Sequence, residues 1–354
     1  MLNFLWKLTY LLGLFQCLVG CESNVSNHSP SMLAGTLYRT PLRMVRTLKG
    51  HTARVNSVAF STDGRLLASG TGVGIISGGD FGNTIKIWEV STGRLLRTLD
   101  YQTYVYSVAF SPDGRLLAFG GWENYMRLWK LDTYKVPPTK LDHGSFVTKV
   151  AFTPDNRIVA SSGSNMIKLW EVSTGKLLRT LQGDASLIYS MAISAYGGLI
   201  AAGSKHGNII VWEINTGKVR YTFRAHLNAV TSVVFGPNGY LLASGSHDTT
   251  VALWNIRTGQ LLRRLTESDN TISSVAISPD GRILAAGSSA FGGNRGNMIF
   301  LWEVNTGKLL PTKQGPWWPI FSSWFEGRAR TLAFSPNRYT LASGNSDKTI
   351  KLWQ

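Results

Sequence analysis

The stretch VTSVVFGPNGYLLASGSHDTTVALWNIRTGQLLRRL, residues 230–265, decides the fold of this chain because its pattern recurs along the sequence. Each copy contains one tryptophan at the same place, and these seven are Trp88, Trp129, Trp170, Trp212, Trp254, Trp302 and Trp353. Successive tryptophans lie 41, 41, 42, 42, 48 and 51 residues apart. Residues 44–354 therefore supply about 44 residues for each of seven copies, and we read them as one repeated unit rather than as separate domains.

Each copy contains the signals of four short strands joined by tight turns. In the first copy we predict strands over residues 55–61, 65–70, 84–90 and 95–99. Asp63-Gly64 and Thr92-Gly93 occupy the turns, and glycine after a polar residue between β-branched runs is a hairpin signal. A four-stranded unit of this length is typical of a propeller blade. The sequence therefore predicts an all-β, seven-bladed β-propeller over residues 42–354.

The repeated phrase resembles that of the WD-repeat proteins, and the resemblance spans residues 44–354. Its parts appear as SPDGRLLA at 111–118, TGKLLRTL at 174–181 and TIKLW at 349–353. The resemblance implies that each repeat ends with the third strand of a blade and that a fourth strand opens the next repeat. Since the seventh copy has no fourth-strand phrase after Trp353, we predict that LRMVRTL at 42–48 completes the last blade and closes the ring.

The resemblance also implies a structural tetrad of His, Ser, Asp and Trp within a blade. The fifth copy contains all four residues, which are His226, Ser244, Asp248 and Trp254. At the histidine position the other copies contain His51, Tyr101, His143, Asp184, Ser268 and Phe325. At the aspartate position they contain Gly82, Glu123, Ser164, His206, Gly296 and Asp347. We interpret the complete set as a hydrogen-bonded structural group rather than a catalytic one.

The first 20 residues are apolar apart from Lys7 and predict a secretory signal peptide, because the run is short for a membrane span. Leu18-Val19-Gly20-Cys21 resembles the lipobox of bacterial lipoproteins, which implies cleavage before Cys21 and lipidation of its thiol. Residues 21–41 then form a flexible polar tether. We expect an exported protein anchored in the membrane of a bacterial cell envelope. An ordinary cleaved signal, an uncleaved anchor and a cytoplasmic chain are the alternatives.

No catalytic or metal-binding motif emerges from the sequence. The cysteines Cys17 and Cys21 both precede the repeats, so the propeller has no thiol for a disulfide or a metal site. Two glycine-rich stretches, 78–82 and 292–296, fall between strands, and we interpret them as loop insertions rather than phosphate-binding loops. We therefore predict a protein that is not an enzyme and that uses no cofactor and no metal.

Three insertions interrupt the repeat, at residues 71–83, 288–297 and 314–328. In the geometry of the family they emerge on one face, the top, over blades 6, 7 and 1. The third insertion carries the aromatic residues Trp317, Trp318, Phe321, Trp324 and Phe325. We predict that these side chains bind a protein or peptide partner of a monomeric scaffold. Packing over the groove between blades and contact with a membrane interface are the alternatives.

The chain carries a formal net charge of +16, which raises the question of a polyanionic partner. Eleven cations follow the two turn types predicted on the bottom face: Arg65, Arg94, Arg115, Lys135, Arg157, Lys176, Lys218, Arg257, Arg282, Lys308 and Arg338. This rim defines an alternative function, the binding of a polyanion or nucleic acid. Solvated repeat charge is the simpler interpretation, and the lack of interleaved aromatic residues disfavours nucleic acid.

Overall fold

The computed structural model describes residues 42–72, 82–101, 103–132, 138–266, 268–289, 299–310, 328–337 and 340–354. In these ranges the chain forms strands and turns, and it contains no helix long and apolar enough to cross a membrane. The predicted signal peptide, tether and Cys21 lie outside the described residues.

The described residues form 27 strands. In chain order they are β1 Met44–Leu48, β2 Val55–Phe60, β3 Leu66–Thr71, β4 Thr84–Glu89, β5 Leu95–Asp100, β6 Val105–Phe110, β7 Leu116–Gly121, β8 Tyr125–Lys130, β9 Thr139–Asp142, β10 Lys149–Phe152, β11 Ile158–Gly163, β12 Met166–Glu171, β13 Leu177–Gln182, β14 Ile188–Ile193, β15 Leu199–Ser204, β16 Asn208–Glu213, β17 Val219–Arg224, β18 Val230–Phe235, β19 Leu241–Ser246, β20 Val251–Asn255, β21 Gln260–Leu265, β22 Thr271–Ile277, β23 Ile283–Ser289, β24 Ile299–Glu303, β25 Ala329–Phe334, β26 Leu341–Asn345 and β27 Ile350–Trp353.

These strands form seven antiparallel sheets, one per repeat, which confirms the predicted all-β, seven-bladed propeller. Blades 1 to 5 are the sheets β2–β5, β6–β9, β10–β13, β14–β17 and β18–β21. Blade 6 contains β22–β24 and, as the start of a fourth strand, a single bridge between Trp302 and Leu309. The strands predicted for the first copy agree with β2–β5 to within one residue at each end.

The first strand of every blade is the innermost one, and these seven strands surround a central channel. In cyclic order β2, β6, β10, β14, β18, β22 and β25 each contact the next, and β25 contacts β2. The turns between first and second strands, and between third and fourth strands, lie at one end of the blades. We call that end the bottom face and the opposite end, where the other connections lie, the top face.

Blade 7 is closed by β1, the first strand of the described residues, as predicted. Its sheet has the order β1-β27-β26-β25, so β1 is the outer strand of a blade whose other strands come from the last repeat. Leu48 pairs with Ile350 and Thr47 with Lys351 in an antiparallel register. Backbone hydrogen bonds between Arg43 and Gln354, at 2.5 and 2.8 Å, extend the pairing beyond the strand. The edge of β27 is therefore covered rather than exposed to another chain.

The seven repeat tryptophans fill the interfaces between blades. Each of them is at most 6% exposed. Trp88 of blade 1 lies in one apolar cluster with Ile350 and Leu352 of blade 7. Trp254 of blade 5 stacks on Phe223 of blade 4, with ring centroids 4.5 Å apart. The spacing of the tryptophans therefore follows the spacing of the interfaces between blades. Truncating one of these side chains to alanine is expected to lower the free energy of unfolding by about 3–5 kcal/mol.

Polar side chains connect neighbouring blades at their outer, bottom ends. The Arg46 guanidinium of β1 donates to the Ser91 carbonyl in blade 1 at 2.8 Å, and Arg179 of blade 3 donates to Asn215 in blade 4 at 3.0 Å. A glycine at positive φ lets the arginine approach, since a Cβ at Gly217 would lie 2.6 Å from Arg179 Cδ. The repeated Thr-Gly turn thus serves both the hairpin and the contact with the preceding blade.

Removing β1 should open the ring. We expect a chain that begins at residue 42 to keep its melting temperature, because it retains every strand described here. A chain that begins at residue 49 loses Leu48, Arg46 and the cover of β27, and its melting temperature should fall by roughly 5–15 °C. Calorimetry with light scattering measures both changes. A monomeric chain from residue 49 with an unchanged melting temperature would contradict closure by β1.

Candidate interaction face

The predicted tetrad residues of blade 5 lie together beneath the top face. The Trp254 indole donates to the Ser244 hydroxyl at 3.2 Å, and His226 Nε2 lies 2.8 Å from the same oxygen. His226 Nδ1 lies 3.0 Å from Asp248 Oδ2, which also accepts the Leu227 backbone N–H at 2.9 Å. Because a carboxylate only accepts, the contact with Asp248 assigns a proton to Nδ1, and in a neutral imidazole Nε2 then accepts from the Ser244 hydroxyl.

The His226 and Asp248 side chains are buried in this arrangement. The His226 side chain is fully buried and that of Asp248 is 8% exposed, so no substrate has access to the imidazole. Burial alone would raise the pKa of the Asp248 carboxyl, but hydrogen bonds from His226 and Thr250 hold it below its ordinary value. The tetrad ties the link before β18 to the turn between β19 and β20, and so fixes two top-face connections of blade 5.

Other blades fill the same space with different groups. His51 and His143 lie 2.7 and 2.9 Å from Ser69 and Ser161, and these two serines accept the indole N–H of their blade's tryptophan. In blade 4 the aspartate at the histidine position, Asp184, accepts hydrogen bonds from the side chains of blade 4 itself. Its donors are Ser204 at 2.8 Å and Asn208 at 2.6 Å.

Blade 2 substitutes an ion pair for the tetrad. The Arg127 guanidinium binds the Glu123 carboxylate and donates to the Tyr101 hydroxyl at 3.0 Å. The copies that depart from the sequence pattern in blades 2 and 4 therefore still contain polar contacts between the link that enters the blade and its interior.

The predicted partner-binding aromatics Trp317, Trp318, Phe321, Trp324 and Phe325 lie outside the described residues, as does most of each predicted insertion. The structure nevertheless brings a different aromatic group to the top face, over blades 2 and 3. Trp122 is 51% exposed and stacks on Phe146, with ring centroids 5.5 Å apart. The rings of Tyr104 and Tyr106 pack edge-on against the Trp122 ring, with centroid distances of 6.3 and 6.5 Å. We call these four residues the blade 2–3 aromatic cluster.

This cluster adjoins the mouth of the central channel. Tyr106 is the second residue of the innermost strand of blade 2, and its pKa is raised by burial and by the nearby Tyr104 hydroxyl. The Arg330 charge opposes that rise, which places a cation of blade 7 close to the same phenol. An exposed tryptophan beside tyrosines and arginine has the composition of protein-binding hot spots.

Sequence reasoning missed this cluster, although one signal was available. Trp122 lies seven residues before Trp129 and is thus an additional tryptophan within the connection between β7 and β8. Phe146 belongs to the next repeat, and its contact with Trp122 depends on the arrangement of two neighbouring blades.

The bottom rim has mixed charge. Nine of its eleven predicted cations are described, whereas Lys135 and Arg338 are not. Nine described carboxylates lie in or next to the same turns: Asp63, Glu89, Asp113, Asp132, Asp155, Glu171, Glu213, Asp280 and Glu303. Arg65 and Arg94 lie within 4.0 Å of Asp63 and Glu89. The described rim is thus not a continuous cationic band of the kind that attracts a polyanion.

No metal centre stands out in the described part of the chain. No group of three or more His, Cys, Asp or Glu residues there is arranged to hold a metal ion. A cleft of about 910 Å³ lies at the bottom of the junction between blades 7 and 1, lined by Arg46, Asp63, Glu89 and Gln354 among others. Its lining carries charged groups of both signs, so it defines no class of ligand.

The buried histidines should make folding stability depend on pH. Burial lowers the pKa of His51 to about 3 and that of His143 to about 4, with Lys86 and Lys168 adding to the effect. At pH values between these pKa values and about 6.5, the unfolded chain binds more protons than the folded one. The contribution of the two histidines to the free energy of unfolding is therefore fully present above pH 6.5 and is lost as the pH falls. At pH 5 the loss should be about 2 kcal/mol per histidine.

Urea unfolding at pH 7 and pH 5 measures this dependence. The H51Q variant should lose part of the pH-dependent decrease, and the H206Q variant, at an exposed histidine, serves as the control. An equal change in the free energy of unfolding between pH 7 and pH 5 in all three proteins would show that the imidazole of His51 is not kept neutral by folding.

Comparisons with known proteins agree with this architecture. A family model described as the IFT122 first beta-propeller matches residues 146–354, more than half of the chain. A second model, WD domain, G-beta repeat, matches residues 42–89 and 93–130. An uncharacterized WD repeat-containing protein of Synechocystis sp. is 49% identical over 55 residues, which cover 16% of this chain and only 14% of that protein. The chain therefore belongs to the family of the IFT122 first beta-propeller model and is a WD-repeat β-propeller.

Proposed function

We propose that this chain is a non-catalytic scaffold that binds a protein or peptide partner on the top face of its propeller. WD-repeat propellers are typically protein-interaction scaffolds and generally lack catalysis. The observation that carries the proposal is Trp122, which is half exposed and held in place by Phe146 and Tyr104. A large aromatic side chain fixed by its neighbours loses little conformational entropy on binding, and such residues dominate many interfaces.

The partner surface extends over blades 6, 7 and 1, where the sequence insertions occur. In the sequence, residues 311–327 lie between blade 6 and the innermost strand of blade 7. The contact of β25 with both β22 and β2 supports a continuous sector across these three blades. In this proposal Trp317, Trp318 and Trp324 provide the main contacts, and the blade 2–3 aromatic cluster provides a second one beyond blade 1.

Two sets of substitutions test the partner surface. The W317A/W318A/W324A variant and the W122A variant should each reduce capture of the partner by at least about tenfold, since truncating a central aromatic contact costs 2 kcal/mol or more. Y196A is the matched control, because Tyr196 is 74% exposed on the bottom face. Crosslinking to immobilised protein, with the captured species quantified by mass spectrometry, provides the measurement.

The fold of each variant decides how a loss of capture is interpreted. Unchanged circular dichroism and melting temperature are expected for all three variants. Unfolding of the triple tryptophan variant would instead favour the alternative that its aromatic residues pack over the propeller. Equal capture by natural protein and both top-face variants would contradict the proposed surface.

We further propose that the scaffold is exported and anchored to a bacterial membrane through a lipidated Cys21. The support is the order of segments in the sequence: an apolar run of residues 8–20, the Leu18-Val19-Gly20-Cys21 boundary, a polar tether and then the propeller. A lipid anchor with a tether would hold the propeller near the membrane while leaving both faces accessible.

Intact-mass analysis of the membrane fraction tests the anchor. The expected species begins at Cys21 and carries the mass of its acyl chains, whereas the C21S variant should not be acylated and should leave the membrane fraction. Recovery of the full-length, unmodified chain in the soluble fraction would contradict the anchor and favour a cytoplasmic scaffold.

A further inference from the structure

A chain of hydrogen bonds connects blade 7 to the blade 2–3 aromatic cluster across the top of blade 1. Arg330 of blade 7 and Asn56 of blade 1 are the second residues of β25 and β2, which begin at the top face and contact one another. The Arg330 Nε donates to the Asn56 side-chain oxygen at 3.1 Å. The Asn56 amide then donates to the Val105 carbonyl of blade 2 at 3.2 Å, between Tyr104 and Tyr106 in the sequence.

These contacts fix the Arg330 guanidinium while leaving part of it available. Asn56 is itself held by a second hydrogen bond, from its amide to the Gly72 carbonyl at 3.3 Å. Only the Nε of Arg330 donates to another residue in the described part of the chain, so the pair of Nη nitrogens has no such partner there. Two Nη donors side by side are an arrangement that binds a carboxylate through two parallel hydrogen bonds.

A second arginine adds to the positive charge at this place. Arg54 is exposed and directly precedes β2, where its backbone carbonyl accepts the Gly72 N–H at 3.3 Å. Although Arg330 is exposed by surface area, loss of solvation lowers its pKa, and the charges of Arg54 and Arg328 lower it further. Among the described residues, the Tyr106 hydroxyl rather than a carboxylate opposes this shift. The local charge is therefore complementary to an acidic group.

The aromatic cluster lies directly beside these cations. The Arg330 charge acts on the Tyr106 phenol, whose ring centroid lies 6.4 Å from that of Tyr104. Trp122 packs against both tyrosines, and Phe146 covers one of its faces at an interplanar angle of 16°. Half of the Trp122 side chain remains exposed. This part of the top face thus presents a fixed apolar contact next to a cationic one.

The acid nearest to Trp122 in the sequence does not neutralise this charge. Glu123 forms an ion pair with Arg127 of the same blade, and the Glu123 side chain is 22% exposed. Arg54 and Arg330 lie on the blade 1 side of the aromatic cluster rather than between its rings. A nucleic-acid strand is usually bound by cations that follow its backbone past the stacked bases, so this arrangement favours a peptide.

We propose that the top face recognises an acidic peptide segment, whose carboxylates bind Arg330 and Arg54 and whose aromatic side chain packs on Trp122. This inference rests on the proposed function and names the chemistry of the partner. The Nη pair of Arg330 receives one carboxylate, and the flexible, exposed Arg54 receives a second. Trp122 supplies the apolar contact, and its fixed position limits the entropy lost on binding.

Selection from a random-peptide library displayed on phage, with the natural protein immobilised, tests the chemistry of the partner. Enriched peptides should combine Asp or Glu with an aromatic residue a few positions away. The most enriched peptide is then synthesised with a fluorescent label, and its affinity is measured by anisotropy. Affinity should fall with added salt, because charge pairs at an exposed surface are screened.

Three variants divide the contributions to binding. R330Q should weaken the peptide by about tenfold, since it removes a close charge contact, while the glutamine amide can still donate to Asn56. R54Q should weaken it by about threefold or less, because pairs of fully exposed charges contribute little. W122A should weaken it by at least about tenfold. R115Q removes an exposed arginine on the bottom face and should bind as the natural protein does.

The outcomes separate this inference from the proposed function. Neutral or basic enriched peptides that lose affinity in W122A but not in R330Q would overturn acidic recognition and leave a top-face peptide site in place. Failure to enrich any peptide, or equal affinity in the natural protein, W122A and R330Q, would contradict both. An equal loss in R115Q and R330Q would show a response to net charge and would overturn the site. Tighter binding of a labelled single-stranded oligonucleotide than of the peptide, weakened in R330Q, would overturn it in favour of nucleic acid.

Discussion

The pairing of β1 with β27 is the interaction on which the rest of the structure depends. A ring of sheets buries its last interface only if the two ends of the repeat array meet, and here a strand from the start of the chain supplies the outer strand of the last blade. The same strand places Leu48 in the apolar cluster with Trp88 and directs Arg46 to Ser91 of blade 1. Closure thus links blade 7 to blade 1 in two ways. The chain continues from β1 of blade 7 into blade 1, and side chains of the two blades pack together, which fixes the arrangement of both faces.

The periodic part of the structure could be predicted from the sequence because each repeat has to satisfy the same local packing requirement of a blade. Trp88 and its six equivalents mark one interface each, and the LRMVRTL phrase at 42–48 identifies the closing strand. The non-periodic part could not be predicted. The Trp122–Phe146 stack crosses a blade boundary. In blade 4, Asp184 and its hydrogen-bond donors occupy the place of the tetrad, and these residue types are not part of the repeated pattern.

The distribution of charge separates the surfaces of the propeller. On the bottom rim, the turn cations alternate with carboxylates such as Asp63 and Glu89, so the excess charge of the sequence is not concentrated there. The top face carries described acids as well, among them Glu123, Asp184 and Asp248, and these accept hydrogen bonds from neighbouring side chains. The proposed recognition at the top face rests on the exposed Trp122 side chain rather than on the net charge of the chain.

Hydrogen exchange of the β1 amides tests the central claim most directly. If β1 is an integral part of blade 7, the Thr47 and Leu48 region should exchange only when the whole propeller unfolds, with protection equal to that of β5, the outer strand of blade 1. Protection of β27 and β5 together with rapid exchange throughout β1 would contradict the account, because the ring would then be held together without its closing strand.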